Sequence, residues 1–303
     1  MKIISRKRIS SPVGVPGLDD YSDILVKAAL AEDIGTGDIT TDATVGKKAR
    51  GAAVFMAKED CVLAGVFVAE KTFKHLDGGI SFNAFFKDGD RVKKGGKIAE
   101  VSGRLAAILK GERVALNFLQ RLSGIAAATD RYVRKVAGTK AKVLDTRKTT
   151  PCLRMLEKYA VKTGGGYNHR FGLFDSILIK DNHIKAAGSI KKAVNRVNRR
   201  YGEGVVVEVE TTNLREVREA LSCGADIIML DNMDAARIRK ALKIIKGRAL
   251  VEASGGITMD NIEEVARTGV DFISVGGLTH SAKAADISLK VVSTHALKRG
   301  HRA

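Results

Sequence analysis

Residues 145–183, DTRKTTPCLRMLEKYAVKTGGGYNHRFGLFDSILIKDNH, hold seven Lys or Arg against four acids. Arg147 and Lys148 follow one short apolar run, Ala141–Asp145, and Lys180 follows a second, Ser176–Ile179. Short apolar runs of this kind read as buried strands, so two strand ends present cations. Such a cluster repels itself unless a strongly anionic ligand binds there. His169 and Arg170 lie between the two runs, where an imidazole N–H can donate to the same anion. Four further strand ends carry other chemistry: Glu210, Asp231, Ser254-Gly255-Gly256 and Gly276-Gly277. Arg147, Lys148, Arg170 and Lys180 suit carboxylates and pyrophosphate. Glu210 and Asp231 suit Mg²⁺ held through water, or ribose hydroxyls; with no histidine beside them, a hard cation fits better than zinc. The glycine turns can offer backbone N–H groups to a phosphate. The plainer alternative is that acids and bases pair across the mouth.

These ends need a scaffold that gathers them. From residue 141 onward six short apolar runs (KVLDT, SILIK, VVVEVE, DIIMLD, ALVEAS and DFISVG) alternate with helical segments at Ala187–Arg200, Asn213–Cys223, Asp234–Lys246 and Asp260–Thr268. That alternation predicts βα units and a parallel sheet, whose C-terminal mouth collects residues from several strands. After the first strand, Thr149 or Thr150 can cap a helix with Pro151 in its first turn, stopped by Gly164–Gly166. In the N-terminal half, Tyr21–Glu32 reads as an amphipathic helix and EDIGTGDITT as a loop with only a weak phosphate signal. Residues 50–101, including CVLAGVFVA, read as mostly β, and residues 111–136 as a long helix opening with Glu112 and Arg113. An arginine in a first turn opposes the helix dipole; it is either solvated or reaching for a carboxylate or phosphate.

The balance of 52 Lys and Arg against 34 Asp and Glu, a net charge of +18, calls for anionic partners. With five Tyr, ten Phe and no Trp, base stacking is poorly provided for, so small anions are favoured over nucleic acid. Three cysteines without a CxxC pair argue against disulfides and zinc and for a reducing, cytoplasmic setting. The basic start MKIISRKRISSPVGVPG lacks the apolar core of a signal peptide, and no run reaches the length of a membrane span. The expected domains are a basic arm at 1–17, an α/β sandwich with linking helix at 18–136, an α/β barrel at 137–285, and a C-terminal helix and basic tail at 286–303.

The DTRKTTP, GGGYNHR and KDNH motifs, with EDIGTGDITT, GERVALNFLQRLSGIA, EVE, MLDN, EASGGI and SVGGLTHS, closely resemble the quinolinate phosphoribosyltransferase family. The match covers nearly the whole chain. It implies an N-terminal α/β sandwich, a C-terminal open, incomplete six-stranded α/β barrel, and homodimers with shared active sites, which in some members assemble into hexamers. It also implies Arg113, Thr146, Arg147, Lys148, His169, Arg170 and Lys180 at the substrates. Glu210 and Asp231 are implied at ribose and Mg²⁺, with catalysis carried by Lys148, Lys180, Glu210 and Asp231. Ser254, Gly255, Gly256, Val275, Gly276 and Gly277 are implied at phosphate. The substrates would be quinolinate and phosphoribosyl pyrophosphate. Cys152 stands where the family usually has glycine. Two other readings are a molybdenum-transport-associated paralogue of the same fold, which the intact cationic set opposes, and a basic nucleic-acid-binding protein.

Overall fold

The computed structural model describes residues 17–202 and 204–295. In chain order its elements are α1 (Leu18–Ile34), α2 (Ile39–Thr44), β1 (Arg50–Ala57), β2 (Cys61–Val62), α3 (Val66–Leu76), β3 (Ser81–Ala84), β4 (Arg91–Val92) and β5 (Lys97–Arg104). There follow α4 (Leu105–Lys135), β6 (Lys142–Leu144), α5 (Arg154–Thr163), β7 (Ile177–Ile179), α6 (Asp181–Ala187), α7 (Ile190–Tyr201) and β8 (Val207–Thr211). The last are α8 (Leu214–Ser222), β9 (Ile227–Asp231), α9 (Ala235–Ile245), β10 (Leu250–Ser254), α10 (Ile262–Arg267), β11 (Phe272–Ser274), α11 (Gly277–His280) and β12 (Ile287–His295). No helix among the described residues is long and apolar enough to cross a membrane.

Two compact units emerge. The first holds Thr129–Arg154 and Gly165–Ser281. Its six-stranded sheet has the order β6-β11-β10-β9-β8-β7, with parallel neighbours throughout. β6 and β7 are its two edges, so the barrel stays open, as expected from the sequence; past β6 only a single bridge, Leu144 to Tyr167, extends the pairing. Val143, Val209, Ile228, Leu230, Val251 and Ile273 are buried, which explains why the strands read as apolar runs. Three of the helices between them, α7, α8 and α9, start at side-chain caps. Ser189 accepts from Lys192 N, Asn213 from Arg215 N and Glu216 N, and Asp234 from Arg237 N.

The second unit comprises the described parts of Pro16–Ala128, Met155–Gly164 and Ala282–Ala303. Its antiparallel sheet runs β12-β1-β5-β3, and Phe55, Phe73, Ile80, Ile98, Ile108 and Leu119 lie in its core.

Four local expectations are corrected. CVLAGVFVA is a strand only at Cys61–Val62; from Val66 it is helix. Valine-rich composition suggested β, but Gly65 turns left-handed at φ 93 and Asp88 accepts from Gly65 N at 2.9 Å and Val66 N at 3.0 Å. A carboxylate on the first helical N–H groups outweighs a weak β preference. The long helix α4 begins at Leu105, not near residue 111, because Gly111 sits mid-helix where a Cβ would come within 2.9 Å of the Phe73 ring. Arg113 therefore lies in the helix interior, and the argument from an unfavourable first turn does not apply to it. The helix expected from Thr149 or Thr150 begins at Arg154, since Cys152 adopts φ 63 and interrupts it. Finally, residues 287–295 form a strand paired with β1, not a helix; Ala285, Ile287 and Leu289 alternate inward, a period of two. Residues 296–303 and the arm expected at 1–17, apart from Gly17, lie outside the described residues.

Inside the second unit α4 and α5 are joined by an ion pair. Arg121 donates to Glu157 Oε1 from Nε at 3.1 Å and Nη2 at 2.7 Å, and to Ala282 O from Nη1 at 3.1 Å. Glu157 is fully buried. Removing the arginine takes a charge and two hydrogen bonds from a fully buried carboxylate, so Arg121→Leu should lower stability by on the order of 3–5 kcal/mol. A denaturation midpoint within error of the parent protein would show that the pair contributes nothing net.

Candidate active site

Strand alternation sorts the mouth of the barrel into two levels. The upper level is the set of strand ends expected from the sequence. Lys180 Nζ, past β7, is 3.6 Å from Glu210 Oε2 on β8. Asp231 ends β9, paired in register with Ser254 on β10, and its Oδ2 accepts from Asn232 Nδ2 at 2.8 Å. Burial pushes the Glu210 carboxyl upward; Lys180 opposes this, while Asp231 and Asp181 add to it. Three carboxylates thus share one region with a single lysine against Glu210. Lys180 is itself held, because His183 Nδ1 accepts its backbone N–H at 3.0 Å.

β6 and β11 bring the other cation in. Val275 N donates to Leu144 O at 2.9 Å, and Thr279 Oγ1 donates to Lys148 O at 2.8 Å. Thr146 Oγ1 accepts from Lys148 N at 3.0 Å. Lys148 then packs over Gly276, where an added Cβ would lie 3.1 Å from its Cδ. Lys148 and Lys180 are both exposed. The glycine turn after β10 is shaped by backbone freedom, Gly255 at φ 85 and Gly256 at φ 63, and it is followed by five residues before α10 begins at Ile262. The helix expected at Asp260–Thr268 is thus shorter, Ile262–Arg267. Gly277 opens the four-residue α11 directly.

Arg147 and Arg170 are half-buried, and the Nε of each is buried with no hydrogen-bond partner. Burial lowers the Arg170 pKa, and repulsion by Arg147 lowers it further, against the pull of Glu208 and Asp175. Arg154, which the sequence reading passed over, ties this region together. It donates to Thr149 Oγ1 at 2.9 Å, Phe171 O at 3.1 Å and Arg147 O at 3.4 Å.

The lower level was missed altogether. Glu208, Glu252 and Ser274 are buried, each two residues before an assigned end of the same strand (Glu210, Ser254) or next to one (Val275). His169 Nε2 lies 3.2 Å from Glu208 Oε2 and 3.7 Å from Glu252 Oε1, and Ser274 Oγ donates to Glu252 Oε1. The other ring nitrogen, Nδ1, accepts from Arg170 N at 2.8 Å. An accepting Nδ1 puts the proton of a neutral imidazole on Nε2. The Nε2 edge of His169 is thus directed at two acids that the sequence did not point to. Burial raises both carboxyl pKa values, and the negative charge of Glu208 raises Glu252 further. The acids in VEVE and VEAS were visible as charges inside apolar strands; alternation would have put Glu208 and Glu252 on the same faces as Glu210 and Ser254.

Arg113 is exposed on α4 in the other unit.

Residues 38–123 match the profile described as quinolinate phosphoribosyl transferase, N-terminal domain, and residues 125–290 that of its C-terminal domain. The chain belongs to the quinolinate phosphoribosyltransferase family. Among similar proteins of this family, the probable carboxylating nicotinate-nucleotide pyrophosphorylase of Bacillus subtilis is 48% identical, over 88% of this chain and 92% of its own length. The chloroplastic carboxylating nicotinate-nucleotide pyrophosphorylase of Arabidopsis thaliana is 46% identical, over 92% of this chain and 85% of its own length. The crystal structure of NadC from Streptococcus pyogenes superposes with a TM-score of 0.88 at 44% identity, covering 94% of this chain and 100% of that one.

In a family member the glycine turn after β10 should be sensitive in a graded way. A Cβ on Gly255 would collide with the Asn232 side chain and lie 2.9 Å from its backbone N, whereas one on Gly256 meets nothing within 4 Å. Gly255→Ala should displace Asn232 and with it Asp231, lowering turnover by on the order of a hundredfold. Gly256→Ala should cost only the left-handed backbone strain of about 1–2 kcal/mol. Equal turnover in the two variants would contradict this account of the turn.

Proposed function

We propose that this chain transfers the phosphoribosyl group of phosphoribosyl pyrophosphate to the ring nitrogen of quinolinate, and that the product loses CO₂ to give nicotinate mononucleotide for NAD biosynthesis. The observation that carries the reading is the pair of buried, unpartnered guanidinium Nε atoms of Arg147 and Arg170. Buried donors without acceptors are costly, and two of them on mutually repelling cations suit a ligand with two carboxylates. Arginine forks match carboxylates in geometry as well as charge.

The rest of the mouth fits the second substrate. Lys148, seated on Gly276, and Lys180, beside Glu210, supply mobile positive charge for a leaving diphosphate. The turns at Ser254–Gly256 and Val275–Gly277 offer backbone N–H groups to the 5′-phosphate. Glu210 and Asp231 present only carboxylate oxygens, a donor set suited to Mg²⁺ directly or through water, and bound there it would neutralise the diphosphate. The same two acids face the ribose, where positive charge grows as the C1′–O bond to diphosphate breaks and the bond from the ring nitrogen to C1′ forms. The resulting pyridinium withdraws electrons from the adjacent carbon. Its carboxylate then leaves as CO₂, and the electron pair left behind takes a proton from solvent. Binding and charge placement do this work, with no strong acid or base required.

We further infer a homodimer in which Arg113 of one chain serves the mouth of the other. The enzyme should release CO₂ from quinolinate only when phosphoribosyl pyrophosphate and Mg²⁺ are present. Lys180→Ala should fold and lose more than about tenfold in kcat/KM. Mixing Arg113→Ala with Lys180→Ala under subunit exchange should restore roughly a quarter of parental activity, since half the random dimers are mixed and one of their two sites is whole. No CO₂ release by the parent protein would overturn the reaction; no recovery on mixing, with exchange confirmed, would put Arg113 in its own chain's site.

A further inference from the structure

The floor under the mouth has no part in the chemistry just described, yet it concentrates polar groups where a barrel usually packs hydrocarbon. Glu208 and Glu252 are 4% and 1% exposed and Ser274 is 4% exposed. A lone buried carboxylate is costly, and two on adjacent sides of one imidazole cost more unless the arrangement serves something above them. What stands above them is His169 and, through it, Arg170.

The connections run in one direction. Ser274 Oγ donates to Glu252 Oε1, and Glu252 and Glu208 together flank His169 Nε2 at 3.7 Å and 3.2 Å. With Glu208 Oε2 at 3.2 Å on that side, the ring proton sits on Nε2. Nδ1 is then a pure acceptor and takes the Arg170 backbone N–H at 2.8 Å. On the other side, Asp145 Oδ1 accepts the His169 backbone N–H at 2.8 Å. Residues 169–170 are thus pinned at two consecutive amide N–H groups. The Arg170 guanidinium is anchored by Nη1 to Ser176 O at 3.0 Å, leaving its Nε buried and without a partner. If the imidazole changed tautomer, Nδ1 would carry a proton facing the Arg170 N–H, and if it flipped, a ring C–H would face that N–H; either way the arginine's amide loses its acceptor.

We propose that Glu252, Ser274 and Glu208 are positioning residues: they lock the Nε2–H tautomer and orientation of His169 and thereby aim the Arg170 guanidinium at the dicarboxylate substrate. The inference rests on reading Arg170 as a quinolinate contact. A different set of acids, Glu210 and Asp231, faces the ribose and diphosphate, so the lock should act on one substrate and spare the other.

The test uses the full-length chain with two variants, Glu252→Gln, which preserves shape, and Ser274→Ala, which removes only the donor that orients Glu252. Two readouts are taken. Long-range ¹H–¹⁵N correlation on ¹⁵N-histidine protein reports the His169 tautomer, assigned by its loss in His169→Gln. Steady-state CO₂ release gives KM for each substrate. In the parent, His169 should show a single Nε2–H tautomer; in Glu252→Gln the signal should shift to a mixture. KM for quinolinate should rise roughly ten- to a hundredfold with a misaimed arginine, while KM for phosphoribosyl pyrophosphate changes less than about twofold. Ser274→Ala should move both readouts the same way by less. An Nδ1–H tautomer in the parent protein, an unchanged tautomer in Glu252→Gln, or equal rises in both KM values would overturn the proposal. Should the parent show the Nε2–H tautomer but release no CO₂, the positioning network stands as structure while the reading of the substrate falls, so the two failures are told apart.

Discussion

A guanidinium half withdrawn from water keeps its charge, and two such groups side by side must be compensated from both directions. That requirement organises the barrel mouth. Arg147 and Arg170 repel one another, each with a buried Nε lacking a partner. From below, Glu208 and Asp175 pull the Arg170 pKa back up against burial and Arg147. From above, the proposed dicarboxylate substrate would complete the set. The mouth is thus held in a state that an anion relieves, and electrostatic preorganisation of that kind is where enzymes obtain much of their transition-state stabilisation.

Barrel geometry lets the two tasks share the same strands. Residues two apart on one strand point the same way at different depths. Glu208 and Glu210 therefore project from β8 as floor and rim, and Glu252 and Ser254 do the same from β10. The rim lies at the strand ends, where the substrates are proposed to bind; the floor meets His169 and Ser274. Loops then act as fasteners. Arg154 joins the loop after β6 to the loop before β7, and Thr279 fixes Lys148 beside Gly276.

Much of this was legible in the sequence because the signals were local. Six apolar runs at βα spacing gave the parallel sheet, and a charge or glycine at each end gave the rim. What escaped depended on contacts distant in sequence. The α3 helix is started by Asp88, more than twenty residues away, so its valines read as strand. Gly111 is inside a helix because Phe73 crosses there. Cys152 occupies a left-handed position where glycine would be free of strain, which is why a helix expected from Thr149 or Thr150 starts only at Arg154. The acids beside His169 come from β8 and β10, far from it in sequence. Strand β12 joined the N-terminal sheet; the alternation of Ala285, Ile287 and Leu289 marks a strand, but its partner β1 lies more than two hundred residues away in sequence.

The central claim is that the paired guanidiniums are completed by two carboxylates and not one. Isothermal titration calorimetry of the parent protein with quinolinate and with nicotinate, which lacks the second carboxylate, addresses it without any turnover. One additional charge-assisted interaction is worth about 1.5–3 kcal/mol, so quinolinate should bind at least roughly tenfold more tightly, and Arg170→Leu should remove most of that advantage. Equal affinity for the two acids would contradict the account.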